Sequence, residues 1–197
     1  MTEEEPDDAV LVRRIADGDE AAFVLVYRRR SHRVYRFALQ LSGSTTIAEE
    51  VTQEVFLALM REAERFDPAR GSFMSYLYGV ARNHVLRQQR RRPAVALDAR
   101  PDIAEGLSAP DDPLADAVRQ QTVATVRRAV QSLPGHYREV VLLCDIEGLD
   151  YRDAAQVIEC PIGTVRSRLA RGRALLADKL RDRMAPVSST LGVRCAT

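Results

Sequence analysis

Apolar residues in the first half of the chain recur every three or four positions, the period of a helix that buries one side. After Ser44 the apolar positions Ile47, Val51, Val55 and Leu59 repeat every four residues, which predicts a long helix capped by Thr45 or Thr46. No stretch alternates with period two, so we expect no sheet. The other helices predicted here are one that Asp7 caps and Gly18 ends, one over Glu20–Arg30, one over about Ser31–Leu41 that Gly43 stops, and one over Phe73 to about Arg91, preceded by a turn at Phe66–Ser72.

The second half has the same helical period. Pro161 stands where a helix start favours proline, so it begins the last helix. The predicted helices run from roughly Leu114 to Ser132, from Pro134 to near Gly148, from Asp150 or Tyr151 through Ile158, and from Pro161 toward Leu180.

Between these two sets of helices, the stretch from Pro93 to Val118 carries four prolines, six acids and no aromatic residue. Such a composition buries too little apolar surface to fold alone, which predicts a linker. We therefore predict an all-α protein of two small helical domains joined by a flexible linker. The predicted boundaries are 1–92 for the first domain, 93–114 for the linker, 115–183 for the second domain and 184–197 for a tail.

Charge is segregated along the chain although the formal net charge is only +1. Residues 21–92 hold 13 basic and 6 acidic groups, and residues 119–183 hold 12 and 8, whereas the stretch between them is acidic. Each basic block ends in an arginine-rich helix. This pattern is typical of a protein that binds nucleic acid.

Other classes of function receive little support. The amino terminus is acidic, unlike a signal peptide, and no apolar run approaches the roughly 18 residues that span a bilayer, so we expect a cytoplasmic protein. We expect Cys144 and Cys160 to be small buried apolar residues. The chain's cysteines and histidines form no CxxC pair and no metal-ligand spacing, so no metal and no cofactor are expected. They are Cys144, Cys160, Cys195, His32, His84 and His136.

The short helix at 151–158, the turn after it and the basic helix that follows predict a helix-turn-helix. Ala155 falls where a small residue lets the two helices approach, and Val165 falls where an apolar residue packs the second helix back. Glu159 occupies the usual position of the turn glycine. We expect it to be left-handed, at a cost of about 1 kcal/mol.

Three segments resemble a known family. The longest is LPGHYREVVLLCDIEGLDYRDAAQVIECPIGTVRSRLARGRALL (133–176), which resembles region 4 of the extracytoplasmic-function (ECF) sigma factors of bacteria. The other two are TIAEEVTQEVFLALM (46–60), which is similar to region 2.2, and FDPARGSFMSYLYGVARNHVLRQQRR (66–91), which is similar to regions 2.3 and 2.4. The resemblance covers roughly 8–92 and 115–183, in the family's order.

The resemblance implies a sigma factor that binds RNA polymerase core and directs it to promoters, with no chemistry of its own. Its expected polymerase contacts are the beta-prime clamp helices and the beta flap, and an anti-sigma factor is a further expected partner. The residues implied for the −35 element are Thr164, Arg166, Ser167, Arg168 and Arg171. Those implied for the −10 element are Asp67, Arg70, Ser72, Tyr76, Arg82, Asn83 and Arg87, and those for the polymerase are Glu49, Glu50, Gln53 and Glu54.

Some alternatives stay open at this point. Tyr76 has a second interpretation, as a core residue. Gly172 inside the last helix lowers the stability of that helix by about 1 kcal/mol relative to alanine. A conventional helix-turn-helix regulator, acting without sigma activity, is the main rival function. An enzyme built on His136 and Cys144 is disfavoured, because eight residues on one helix separate them by about 12 Å.

Overall fold

The computed structural model describes residues 6–91 and 113–184, and all regular structure within these ranges is helical. The predicted all-α class is therefore confirmed. The linker was predicted over 93–114; residues 93–112 of it lie outside the described residues, and α5 already begins at Pro113. The tail after Met184, with Cys195, also lies outside the described residues. In chain order the helices are α1 (Asp8–Ala16), α2 (Glu20–Ser42), α3 (Thr45–Glu62), a 3-10 turn (Ala63–Arg65), α4 (Phe73–Arg91), α5 (Pro113–Gln131), α6 (Gly135–Val141), a π-helical turn (Leu142–Ile146), α7 (Tyr151–Ile158) and α8 (Ile162–Met184).

The first domain is a bundle in which α2, α3 and α4 pack on one another and α1 packs across α2. The four-residue repeat of α3 faces the core as predicted, and its members are at most 6% exposed. Phe37 of α2 and Tyr78 of α4 meet at the centre, with ring centroids 4.7 Å apart. Burial of these apolar faces, at about 25 cal/mol per Å², is the main stabilising term of the bundle.

Two predictions for this domain were wrong in detail. The helices predicted over 20–30 and 31–41 are one continuous helix, α2, because no glycine or proline interrupts it and Val26, Val34 and Phe37 form one buried stripe. The cap of α3 is Ser44, whose Oγ accepts a hydrogen bond from the Ile47 amide at 3.4 Å, and not Thr45 or Thr46.

In the second domain, α6 continues into the π-helical turn and packs against α8. Pro134 precedes α6 as its N-cap, and Gly148 ends this segment in the left-handed conformation at φ 74°. Sequence reasoning predicted one helix here and missed the π-helical turn. A fully buried run spans the junction of α6 and the π-helical turn. It consists of Val140, Val141, Leu142 and Leu143, each at most 1% exposed.

The two domains lie against each other. Helix α4 packs on α7, and α2 approaches α5, α6 and the π-helical turn. Of these helices, α4 carries residues that the resemblance assigns to the −10 element.

Candidate nucleic-acid interface

The helix-turn-helix forms as predicted between α7 and α8. The Asp150 carboxylate caps α7 by accepting a hydrogen bond from the Asp153 amide at 2.8 Å. Glu159 ends α7 at φ 58° and ψ 48°, so the left-handed conformation expected of this glutamate is confirmed. The Cys160 amide then donates to the Ala155 carbonyl at 3.0 Å, which closes the turn.

The second helix of the motif packs back as its sequence predicts. Val165 is fully buried and Ala155 is 8% exposed, so the small residue and the apolar residue meet their expected places. Leu169, one turn after Val165, is 2% exposed. This anchoring fixes which side of α8 faces away from the domain.

The outward side of α8 carries the residues assigned to the −35 element. Arg166, Ser167 and Arg171 are exposed, whereas Thr164 and Arg168 are half-buried. The Arg166 guanidinium lies 5.7 Å from the centroid of the Tyr151 ring, a cation–π contact that steadies it across the turn. Ser167 and Arg171 therefore lie opposite the buried Val165 and Leu169, and Thr164, Arg166 and Arg168 flank them. This surface can enter a major groove with cationic and hydroxyl groups leading.

Arg173 of α8 is less available for contacts with nucleic acid, because it is engaged within the protein. Its guanidinium makes a forked ion pair with Asp145 of the π-helical turn, with a shortest distance of 2.6 Å. This pair ties α8 to the rest of the second domain.

A cleft of about 350 Å³ lies at the start of α4 in the first domain. Asp67, Arg70 and Ser72 from the turn line it, together with Tyr76 and Asn83 from the helix. Five of the seven residues assigned to the −10 element thus surround one cavity. Its polar rim and cationic edge are what an unstacked base and its phosphate need.

Tyr76 packs partly into the domain and also lines the cleft. Its ring is half-buried, stacked on Phe73 at 6.4 Å between centroids and tilted against Phe66 at 5.8 Å. Burial is the main reason that the pKa of its phenol is raised. The ring packs on the domain with one side and lines the cleft with the other.

The two other −10 residues lie elsewhere. Arg82 faces the second domain and pairs with Glu139, with both Nε and Nη2 lying 3.2 Å from Oε2. Arg87 lines a neighbouring groove between α4 and the end of α7. Arg82 and Asn83 line the same groove, so Asn83 borders both cavities. His84, on the same helix, has a lowered pKa, chiefly because it is buried and secondly because Arg87 is near.

The four polymerase-facing residues predicted on α3 divide into two pairs. Glu49 and Gln53 border a groove of about 660 Å³ between α2 and α3. Glu50 instead accepts a hydrogen bond from Gln88 of α4 at 3.0 Å, and Glu54 lies 3.9 Å from Arg61. Only the first pair shares a surface with the groove.

Sequence reasoning missed the apolar side of this groove. Tyr27, Leu57 and Met60 line it and are 44%, 41% and 55% exposed. Their signal was present in the sequence, since Leu57 and Met60 are apolar at positions outside the buried stripe of α3. An exposed apolar strip beside acidic and amide groups is typical of a protein-docking surface.

Within the described residues there is no group of histidine, cysteine and acidic side chains that could hold a metal ion. No helix in that part of the chain is both long and apolar enough to cross a membrane. Cys144 and Cys160 are free and half-buried, packed at the edge of the core, so they are less buried than expected.

Comparison with known families finds two matches. The model for Sigma-70 region 2 matches residues 26–94, and the model for Sigma-70, region 4 matches residues 124–176. The matches fall on the two domains, in the predicted order.

Named relatives extend the likeness over most of the chain. The ECF RNA polymerase sigma factor SigE of Mycolicibacterium smegmatis is 36% identical over 84% of this chain, which spans 65% of that longer protein. The RNA polymerase sigma-H factor of Pseudomonas aeruginosa is 35% identical over 88% of this chain and 92% of its own length. The ECF RNA polymerase sigma-E factor of Escherichia coli is 32% identical, with 90% and 96% covered.

Two solved structures share the fold. The sigma factor RpoE of Bartonella quintana, in complex with the anti-sigma factor NepR, gives a TM-score of 0.67 at 22% identity over 81% of this chain and 96% of that one. CnrH, in complex with the cytosolic domain of CnrY, gives 0.65 at 24% identity over 89% and 97%.

Proposed function

Since the chain belongs to the ECF family of RNA polymerase sigma factors, we propose that it directs polymerase by reading the −35 element with α8 and the −10 element with the cleft of α4. The observation that carries the proposal is the outward side of α8, where exposed arginine and hydroxyl groups stand on a helix anchored by Val165 and Leu169. Arginine pairs bidentately with guanine, and serine and threonine reach base edges or phosphates.

The −10 reading is assigned to the cleft that Asp67, Arg70, Ser72, Tyr76 and Asn83 line, with Arg87 beside it for the backbone. The aromatic face of Tyr76 offers a stacking surface, worth about 1–3 kcal/mol per base in other single-strand binders. Arg82 joins this set only when it leaves Glu139.

Core polymerase is proposed to dock on the groove between α2 and α3, its beta-prime clamp helices meeting Glu49 and Gln53 and the apolar strip of Tyr27, Leu57 and Met60. Glu50 and Glu54 extend the acidic face toward α4, and the second domain meets the beta flap. We propose that 1–92 binds core polymerase and the −10 element, that 93–114 is a linker, and that 115–183 binds the −35 element. An anti-sigma factor is the proposed inhibitory partner, and the site of action is the cytoplasm, where the polymerase works.

This function needs no catalytic group in the chain, because the polymerase supplies the chemistry. The rival, a regulator that binds duplex DNA by itself, leaves the region 2 match and the cleft of α4 without a role.

The deciding experiment adds the purified chain to sigma-free core polymerase on a fragmented genomic library and maps transcript ends. We expect discrete start sites that appear only with the chain, preceded by two shared sequence elements. Sequence-specific duplex binding by the chain alone, with no starts and no binding to core, would instead establish the rival.

A further inference from the structure

Tyr151 and Arg166 meet across the turn of the helix-turn-helix. Tyr151 is the first residue of α7 and lies on the same helix face as Ala155 and Ile158, because these residues follow it by four and seven positions. That face packs on α8, so the ring is directed at the second helix of the motif. The Arg166 guanidinium carbon lies 5.7 Å from the ring centroid, and the tyrosine remains 39% exposed.

The backbone fixes both members of this contact. The Asp150 carboxylate caps α7 directly before Tyr151, through its hydrogen bond from the Asp153 amide. On the other side of the turn, the Thr164 amide donates to the Pro161 carbonyl at 2.8 Å and starts α8. The next residue, Val165, is fully buried and precedes Arg166. Anchored backbone on both sides therefore sets where the ring and the guanidinium meet.

The ring is what holds the Arg166 side chain. Among the described residues, this guanidinium makes no ion pair and no hydrogen bond, so its contact is with the aromatic face. Arg171, which is also exposed on α8, has no such ring over it in the part of the chain that the structure describes. A long side chain loses rotamer freedom when it binds, and a guanidinium that is already held loses less.

Arg173 shows the other way in which this domain holds an arginine. It follows Arg166 by seven residues, and Asp145 engages both its Nε and its Nη2 in the forked ion pair. Such a pair occupies hydrogen-bond donors of the guanidinium. An aromatic face attracts the positive charge and leaves the donors in the guanidinium plane available. Arg166 is therefore held in place and still able to donate, which is what a reading side chain needs.

We propose that Tyr151 is a positioning residue, whose ring sets the Arg166 guanidinium for reading the −35 element. The inference rests on the proposed function, because Tyr151 acts through a member of the −35 set. Tyr151 itself is not among the residues that the resemblance assigned to DNA. Its ring adds a specificity-determining position on the first helix of the motif to those on α8.

The test uses the full chain assembled with core polymerase, on a promoter fragment found by transcript mapping. Affinity for this fragment is compared with affinity for the same fragment after its −35 element has been replaced. Tyr151→Phe keeps the aromatic face and removes only the hydroxyl. Tyr151→Leu keeps apolar bulk and removes the aromatic face, so the two variants form a matched pair. Arg166→Ala and the double variant of Arg166→Ala with Tyr151→Leu complete a cycle.

We expect Tyr151→Leu to weaken binding of the promoter fragment by about three- to fivefold, the range of an exposed cation–π contact. Tyr151→Phe should stay within about twofold of wild type, because the ring is retained. Both should match wild type on the fragment with the replaced −35 element. In the Arg166→Ala background, Tyr151→Leu should cost less than about 1.5-fold, because the group that the ring positions is gone.

Three results would overturn the inference. Equal affinities of Tyr151→Leu and wild type would show that the ring positions nothing that DNA contacts. Equal losses in Tyr151→Phe and Tyr151→Leu would assign the effect to the hydroxyl and not to the ring. Losses that multiply in the double variant would show that Tyr151 acts without Arg166. Circular dichroism checks folding, and Tyr151→Met replaces Tyr151→Leu if the latter does not fold.

Failure of this inference is distinct from failure of the sigma function. If wild type starts transcription with core and the variants give any of these three results, only the role of Tyr151 is lost. If wild type starts no transcription with core, the proposed function fails, and the inference that rests on it fails with it.

Discussion

Gly172 of α8 lies so close to Val141 of α6 that a Cβ added to it would stand 2.9 Å from Cγ2 of the valine. The glycine that lowers the helix propensity of α8 is therefore the residue that lets the two helices pack. A contact of this length forces the valine or the helix to move.

Gly172→Ala should accordingly destabilise the second domain by about 1 kcal/mol, because overpacking outweighs the gain of about 1 kcal/mol in helix propensity. Urea unfolding followed by circular dichroism measures it. In the double variant with Val141→Ala the space is restored, so its loss should be smaller than the sum of the two single losses. Additive losses, or a more stable Gly172→Ala, would contradict the packing account.

Glu159 gives the opposite expectation, because its left-handed backbone at φ 58° is a strain that glycine avoids. Glu159→Gly should raise the free energy of unfolding by about 1 kcal/mol. Glu159→Ala is the matched control, since it removes the same carboxylate but keeps the Cβ that causes the strain. Equal stability of the two variants would show that the carboxylate, and not the backbone, sets the effect.

The apolar strip beside Glu49 and Gln53 yields a prediction on polymerase binding. Leu57→Ser should weaken binding to core at least about tenfold, since an apolar anchor at the centre of an interface typically carries one or more kcal/mol. Val10→Ser is the control, because Val10 is 50% exposed on α1 and does not line the groove. Fluorescence anisotropy with labelled chain measures both, and equal affinities would move the docking site elsewhere.

Cys144 gives a prediction on pH. Burial, with Asp145 next, raises the pKa of its thiol from 9.0 to about 11. In a background without Cys160 and Cys195, iodoacetamide at pH 9.5 should modify the folded chain roughly twentyfold more slowly than the urea-unfolded chain, because the thiolate is the nucleophile. The unfolded state loses the proton first, so this thiol lowers stability as pH rises from about 9 toward 11. Similar rates in both states would show that the thiol is not shielded.

Local signals in the sequence predicted some parts of the fold and not others. The buried repeat of α3, the end of α2 at Gly43 and the left-handed Glu159 each depend on spacing or on one residue's conformational preference, so they were predicted correctly. The supposed break at Ser31 was wrong, because serine fits a helix interior as well as a cap when no glycine or proline accompanies it. The π-helical turn had no local signal at all.

The same distinction applies to the site. The outward position of Ser167 and Arg171 follows from the helical period and the buried Val165, so it could be predicted. The pairing of Arg82 with Glu139, and of Ser72 with Asp153, joins residues 57 and 81 positions apart, which no periodicity predicts. Exposure of Leu57 and Met60 likewise depends on which side of α3 the bundle leaves uncovered.

Arg168 and Arg181 offer a matched pair for the −35 assignment, because they lie on the same helix at different distances from the turn. Arg168 is half-buried near the amino end of α8, whereas Arg181 is exposed near its carboxyl end and pairs with Asp178 at 3.0 Å. Arg168→Ala should reduce binding of a −35 duplex by about ten- to a hundredfold and relax sequence preference there, as loss of a base-reading arginine costs about 1–3 kcal/mol. Arg181→Ala should change it by less than threefold, with core binding unaffected in both. If Arg168→Ala weakens specific and nonspecific duplexes equally, the arginine contacts a phosphate instead of a base, since only a base contact carries sequence information.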